Sequence, residues 1–181
     1  MTSPVFNVVV VCSYNRARSV LGEFVLRRAL DEAGVAAEVS GAGFNSEGAP
    51  PLAATIDTLR QLGFDPSGYL STRITPAMVG AATLVLTAER MHVVRIAEDD
   101  PAVFHRTFTF PEFVAAAEAA GPRADQSFAE WIAAVGAGRT HATFLAAPVP
   151  EVADPAGMSN ATFGATAAQL DDLSRRLAAL L

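Results

Sequence analysis

A single cysteine, Cys12, is all the thiol chemistry this 181-residue chain holds. One cysteine forms no internal disulfide, which fits a reducing compartment and a cytoplasmic setting. No basic run interrupts a chain whose formal net charge is -6. Neither nucleic acid nor an anionic membrane surface is therefore an expected partner. No uninterrupted apolar run reaches the length needed to cross a bilayer. The opening MTSPVFNVVVVC is apolar but lacks a positive leading region, so it reads as a first strand rather than a signal peptide. His92, His105 and His141 lack tight ligand spacing, and no cysteine cluster supports them. Neither a metal nor a cofactor is expected, and the histidines read as structural or surface residues. No internal repeat divides the chain.

What is present points to one substantial core. Hydrophobic residues make up 51% of the chain, and its length suits a single domain over 1–181. The valine-rich run at 5–11 suits a strand covered on both faces. SVLGEFVLRRALDEA at 19–33 has helical spacing, with Gly34 as its stop. AEVSGAG reads as a short second strand with a glycine turn, and 50–62 as a helix with Ile56, Leu59 and Leu62 inward. A short helix follows Thr75-Pro76, ATLVLTA at 82–88 is a third strand, and 89–96 is helical, with Glu89 and Arg90 at its start. FPEFVAAAEAA and DQSFAEWIAAV read as helices, the second grouping Phe128, Trp131 and Ile132 as packing residues. ATFLAAPVPEV is expected to carry the fourth strand. The last segment is a closing helix with Leu170, Leu173, Leu177 and Leu180 at helical period. Alternating strands and helices predict an α/β three-layer sandwich around a mainly parallel four-stranded sheet. A helical insertion is expected at about 98–140.

The chemistry concentrates at VVVVCSYNRARSVL. Cys12 falls where a strand ends and a helix begins, the place where α/β sheets bind ligands. Such a loop presents free backbone N–H groups and the positive end of the helix field, which together cradle an anion. The cradle would run through Ser13, Tyr14, Asn15, Arg16 and Ala17. Arg18 adds a planar fork that matches two oxygens of a tetrahedral oxyanion. Ser19 is placed to donate a hydrogen bond to a thiolate. This constellation fits a nucleophile attacking phosphorus, with loop and arginine gripping the equatorial oxygens. A buried structural cysteine explains Cys12 alone but not its company. Asn15 suits a left-handed backbone, and Arg16 reads as an exposed residue that steers anionic substrate.

VCSYNRARS resembles the opening V-C-x-G-N-x-x-R-S of the low-molecular-weight protein tyrosine phosphatase family, with Cys12, Asn15, Arg18 and Ser19 matching. EVADPAG resembles the family's late Asp-Pro loop, and STRIT at 71–75 followed by LVLTAER resembles a further segment. The resemblance implies a phosphate-binding loop after the first strand. It also implies Asp154 as general acid and Pro155 as the residue that shapes its loop. Chemically, a carboxyl there would protonate the leaving oxygen and then, as carboxylate, activate water.

The chain also departs from the family pattern. Tyr14 stands at a glycine position, where a positive φ would cost about 1 kcal/mol or more. Ala17 replaces a second cysteine, and Leu70 stands near a position where relatives carry a histidine that supports the loop. Phe44, in GAGFNSE, is the candidate wall against a substrate ring, or else an ordinary packing aromatic.

The reading expected is a cysteine-dependent phosphatase acting on phosphate monoesters, as aryl phosphates or a phosphotyrosine-containing protein, through a cysteinyl-phosphate. The alternatives are a single-cysteine arsenate reductase using an external thiol and a non-enzymatic phosphate-binding regulatory protein.

Overall fold

The computed structural model describes residues 6–181. Val5, where the first expected strand begins, lies outside them. The order is β1 Phe6–Cys12, α1 Arg18–Glu32, β2 Ala37–Gly43, α2 Ala53–Gln61, α3 Pro76–Ala81, β3 Leu84–Thr87, α4 Arg90–Asp99, a 3-10 helix Pro101–Arg106, β4 Thr107–Thr109, α5 Phe110–Ala120, α6 Phe128–Val135, α7 His141–Ala146 and α8 Asn160–Ala178.

The four strands form one sheet in the order β2-β1-β3-β4, and every pairing is parallel. The valine run of β1 is central, and its alternation feeds two cores. Val8, Val10 and Cys12 face the larger cluster with Leu21, Val25, Phe113 and Leu170. Val9 and Val11 face the opposite cluster with Ala42, Phe44, Val79 and Ile96. A strand buried on both faces has no polar side to alternate, which is why the run is almost pure valine. α1 approaches β1 closely at Gly22, where an added Cβ would sit 3.0 Å from Val10 Cγ1.

The helix signals are met with small shifts. Gly34 lies in the left-handed region at φ +71 beyond the end of α1, and the Val35 N–H returns to the Leu30 carbonyl at 2.9 Å. α2 starts later than its prolines suggested, because Leu52 is extended. Its buried residues are Thr55, Thr58 and Leu59, while Ile56 and Leu62 are half-buried. Trp131 is buried as a packing residue, edge-on to Phe113, and its indole N–H donates to the Gly121 carbonyl.

The fourth strand is a correction. The sequence reading places it in ATFLAAPVPEV, but that segment forms α7 and an extended connection. The strand is Thr107–Thr109, registered on Val85–Thr87. Three residues carry too little periodicity to be seen. The stretch 98–140, expected as inserted helix, therefore also supplies a sheet edge. No helix of the described residues is long and apolar enough to cross a membrane.

Candidate active site

The carboxyl ends of β1, β2 and β3 converge on the loop 13–17, and parallel pairing makes this the ligand edge of the sheet. Ala17 is the N-cap position of α1, and no described side chain caps that helix. Its first N–H groups are thus left for the loop itself. The loop carbonyls turn outward. The Ser13 carbonyl accepts from the N–H groups of Phe44 and Asn45, each at 2.9 Å. The Arg16 carbonyl accepts from the Leu52 N–H at 2.9 Å and the Thr55 hydroxyl at 3.0 Å. Turned this way, the loop aims amides inward: the Asn15 N–H reaches Cys12 Sγ at 3.3 Å.

Asn15 holds this shape. It is fully buried and left-handed at φ +49. Its Oδ1 accepts from the Thr72 N–H at 2.8 Å, and its Nδ2 donates to Ser19 Oγ at 2.9 Å and Tyr69 Oη at 3.0 Å. Tyr69 in turn donates to Glu23 Oε2 at 2.7 Å. Burial first, and the Glu23 carboxylate second, hold the Tyr69 phenol well above its ordinary pKa, so it stays a donor. The other Glu23 oxygen is paired with Arg27. Ser19 Oγ, which accepts from Asn15, lies 3.1 Å from Cys12 Sγ, within reach to give its own proton to a thiolate. A chain of hydrogen bonds thus links Arg27, on the surface of α1, through Glu23, Tyr69, Asn15 and Ser19 to the sulfur.

Two glycines make the room. A Cβ on Gly41 would stand 2.6 Å from both Glu23 Oε2 and Tyr69 Oη. A Cβ on Gly43 would stand 2.5 Å from the Asn15 nitrogen. Tyr69→Phe leaves one Glu23 oxygen and one Asn15 hydrogen unpaired in a buried site. We expect it to cost about 1–3 kcal/mol, read as a lowered Tm, together with weaker binding of inorganic phosphate.

Arg18 is 3% exposed and lines the cleft beside Cys12. One terminal nitrogen pairs with Glu89 and also donates to the Val152 carbonyl at 3.2 Å. The other donates to Asp154 Oδ2 at 3.0 Å. Asp154 Oδ1 accepts from the Ala156 N–H at 3.1 Å. Cys12, Tyr14, Arg16, Ala17, Arg18, Leu52, Asp154 and Ala156 line one cleft of about 200 Å³. The three residues singled out for chemistry are therefore brought together, although 136 positions separate Arg18 from Asp154.

Other expectations move. Tyr14 does not take the positive φ; that conformation falls one residue later, on Asn15, whose short polar side chain tolerates it. Tyr14 is instead 54% exposed on the rim. Phe44 does not line the cleft with Cys12. It is 6% exposed, stacks on His92 at 5.4 Å and lies under the Arg95 guanidinium at 4.3 Å, which is the packing alternative. Arg16 lines the cleft while its Nε donates to the Pro50 carbonyl at 2.7 Å. Leu70 is 55% exposed and supports nothing in the loop; its neighbour Tyr69 does. Sequence reasoning missed Tyr69, Glu23 and the Arg18 partner Glu89. The glycines of SGAG, read from the sequence as a turn, lie inside β2, where Gly41 makes room for Tyr69 and Glu23. Among the described residues, no group of three or more His, Cys, Asp or Glu side chains is arranged to hold a metal.

A buried thiol, an inward amide, a forked cation and a nearby carboxyl compose an arrangement suited to binding a tetrahedral oxyanion and protonating a leaving oxygen. Comparison with known proteins agrees. The model of the family described as low molecular weight phosphotyrosine protein phosphatase matches residues 7–126. That span contains the loop and ends before Asp154. No curated relative matches the chain significantly. Among solved structures, the chain is similar to the YwlE arginine phosphatase from Geobacillus stearothermophilus (22% identity, 96% of this chain and 91% of that one, TM-score 0.73). It is similar to the low molecular weight protein tyrosine phosphatase from T. tengcongensis (22%, 97% and 99%, 0.75). It is also similar to the tyrosine phosphatase Wzb from Escherichia coli K30 (22%, 97% and 98%, 0.69).

Proposed function

The chain belongs to the low molecular weight phosphotyrosine protein phosphatase family, and from that premise we propose that it hydrolyses aryl phosphate monoesters, phosphotyrosine on proteins among them, through a cysteinyl-phosphate in the cytoplasm. The observation that carries this reading is the meeting of Cys12, the uncapped start of α1, Arg18 and Asp154 in one cleft. Rim residues Tyr14 and Leu52 offer an apolar approach for a phenyl ring.

The sequence of bonds follows from the donors. Substrate phosphate enters the loop, where the amides of 13–17 and the Arg18 fork take its oxygens. Cys12 Sγ attacks phosphorus as a thiolate, forming the S–P bond while the P–O ester bond breaks. Asp154, as the carboxylic acid, gives its proton to the departing oxygen. The Ser19 hydroxyl stabilises the sulfur before attack and again when it leaves. Water then attacks phosphorus, Asp154 takes its proton, the S–P bond breaks, and inorganic phosphate departs. Arg18 and the amides provide the positive field throughout.

Asp154→Asn tests the acid separately from the nucleophile. With a phenyl or alkyl phosphate, whose leaving oxygen needs a proton, kcat is expected to fall by about 10²–10⁴-fold. With p-nitrophenyl phosphate the loss is expected to be much smaller, because that phenolate leaves unaided. An equal loss on both substrates would remove Asp154 from proton transfer. Folded wild-type protein that binds phosphate but turns over neither substrate, and reduces arsenate with an added thiol, would replace the phosphatase reading.

A further inference from the structure

His92 stands apart from the residues used so far, yet it touches two of their supports. It is 6% exposed, on the first turn of α4. Its Nδ1 accepts the Glu89 backbone N–H at 3.2 Å, closing a capping box at the helix start. Its Nε2 lies 3.0 Å from Ser13 Oγ, in the loop. An Nδ1 that accepts carries no proton, so in the neutral ring the proton sits on Nε2 and is donated to Ser13. The same ring thus fixes Glu89, the partner of Arg18, and Ser13, the residue after the nucleophile.

We infer that neutral His92 is a positioning residue, which aligns Arg18 through the Glu89 cap and Ser13 through a second hydrogen bond, and whose protonation releases the Glu89 cap while the Nε2–H bond to Ser13 stays. An added proton on Nδ1 would face the Glu89 N–H, two donors against each other. The cap would open, and Glu89 would no longer be held against Arg18. The groups around the ring are Glu89, Arg18, Arg95 on α4 and Glu151 on the connection before Asp154, with Phe44 stacked on its face. Burial, the largest influence, holds its proton affinity below the ordinary 6.5, and Arg18 and Arg95 act with burial against Glu89 and Glu151. The sign is fixed: stability contributed by the neutral ring is fully present above the unfolded value and is lost as pH falls through the lower folded one.

The inference rests on the phosphatase reading, and the test separates them. The kcat of wild type and His92→Asn is measured against p-nitrophenyl phosphate from about pH 8 to about pH 5. Asparagine retains an acceptor near Nδ1 but does not titrate. The expected result is that the ratio of wild type to variant falls several-fold on the acid side, in step with the His92 titration followed by NMR in wild type. The NMR should also find the Nε2–H tautomer at neutral pH. A flat ratio across that titration, or an Nδ1–H tautomer, would overturn the inference. If wild type is inactive, the phosphatase reading fails instead. The same comparison then uses inorganic phosphate affinity, expected to fall on the acid side in wild type relative to the variant, and flat dependence again overturns it.

Discussion

Serine in place of Cys12 is expected to give a folded protein that binds inorganic phosphate and hydrolyses no aryl phosphate, a loss of about 10⁴-fold or more in kcat. The substitution exchanges one atom at a site only 3% exposed, between β1 and α1, so the core keeps its shape. The Asn15 N–H and the Ser19 hydroxyl, which now converge on sulfur, still meet an oxygen. What disappears is the proposed nucleophile: a hydroxyl at neutral pH is a poor one, and nothing described beside position 12 is placed to take its proton. Steady-state kinetics with calorimetric phosphate binding would read both halves. Hydrolysis surviving in the serine variant would place the nucleophile elsewhere and overturn the two-step scheme.

Arg18→Lys is the second large effect, expected to lower kcat/KM by roughly 10²–10³-fold although the charge is kept. The guanidinium does two jobs with two arms. One arm is anchored by Glu89 and the Val152 carbonyl, and the other reaches Asp154 and the cleft. An ammonium is a single point: if it stays with Glu89 it leaves the cleft, and if it reaches the cleft it abandons Glu89. Arg18→Ala removes both. It should add a stability loss of about 1–3 kcal/mol, since Glu89 is left partly buried and unpaired and the Val152 carbonyl loses a donor. Near-normal kinetics in the lysine variant would mean that charge alone, without the fork, suffices.

The sequence shows the local parts of this molecule more readily than the distant ones. β1, α1 and α8 are legible because valine alternation across two cores and leucines at helical period are properties of a short window. The loop 12–19 is legible for the same reason, as eight adjacent residues whose types suit one task. The support of that loop is not. Asn15 meets Tyr69 across 54 positions, and Ser13 meets His92 across 79. No periodicity links such pairs, and a tyrosine followed by an exposed leucine gives no sign of which one turns inward. Phe44 shows the converse: an aromatic beside the loop suggested a substrate wall, whereas its ring was already taken by His92 and Arg95. β4 is hidden by its brevity, with Thr109 serving both as strand end and as the cap of α5.

Asp154 sits on an arch with two buried feet. Val152 is 1% exposed, and its N–H donates to the Ala88 carbonyl at 2.8 Å. Just before it, the Pro150 carbonyl accepts from the Thr109 hydroxyl at 2.6 Å. Pro155, on the far side, is buried. Only Ala153 and Asp154 lie between these pegs, and three residue steps span at most roughly 11 Å. In the proposed mechanism the acid therefore works on a short leash. On that reading it passes from Arg18 toward a leaving oxygen and back toward attacking water without leaving range, so its effective concentration over the cleft would be set by the tether rather than by binding. Lengthening the leash by inserted glycines would dilute the acid, whereas the grip of the loop on phosphate would stay as it was.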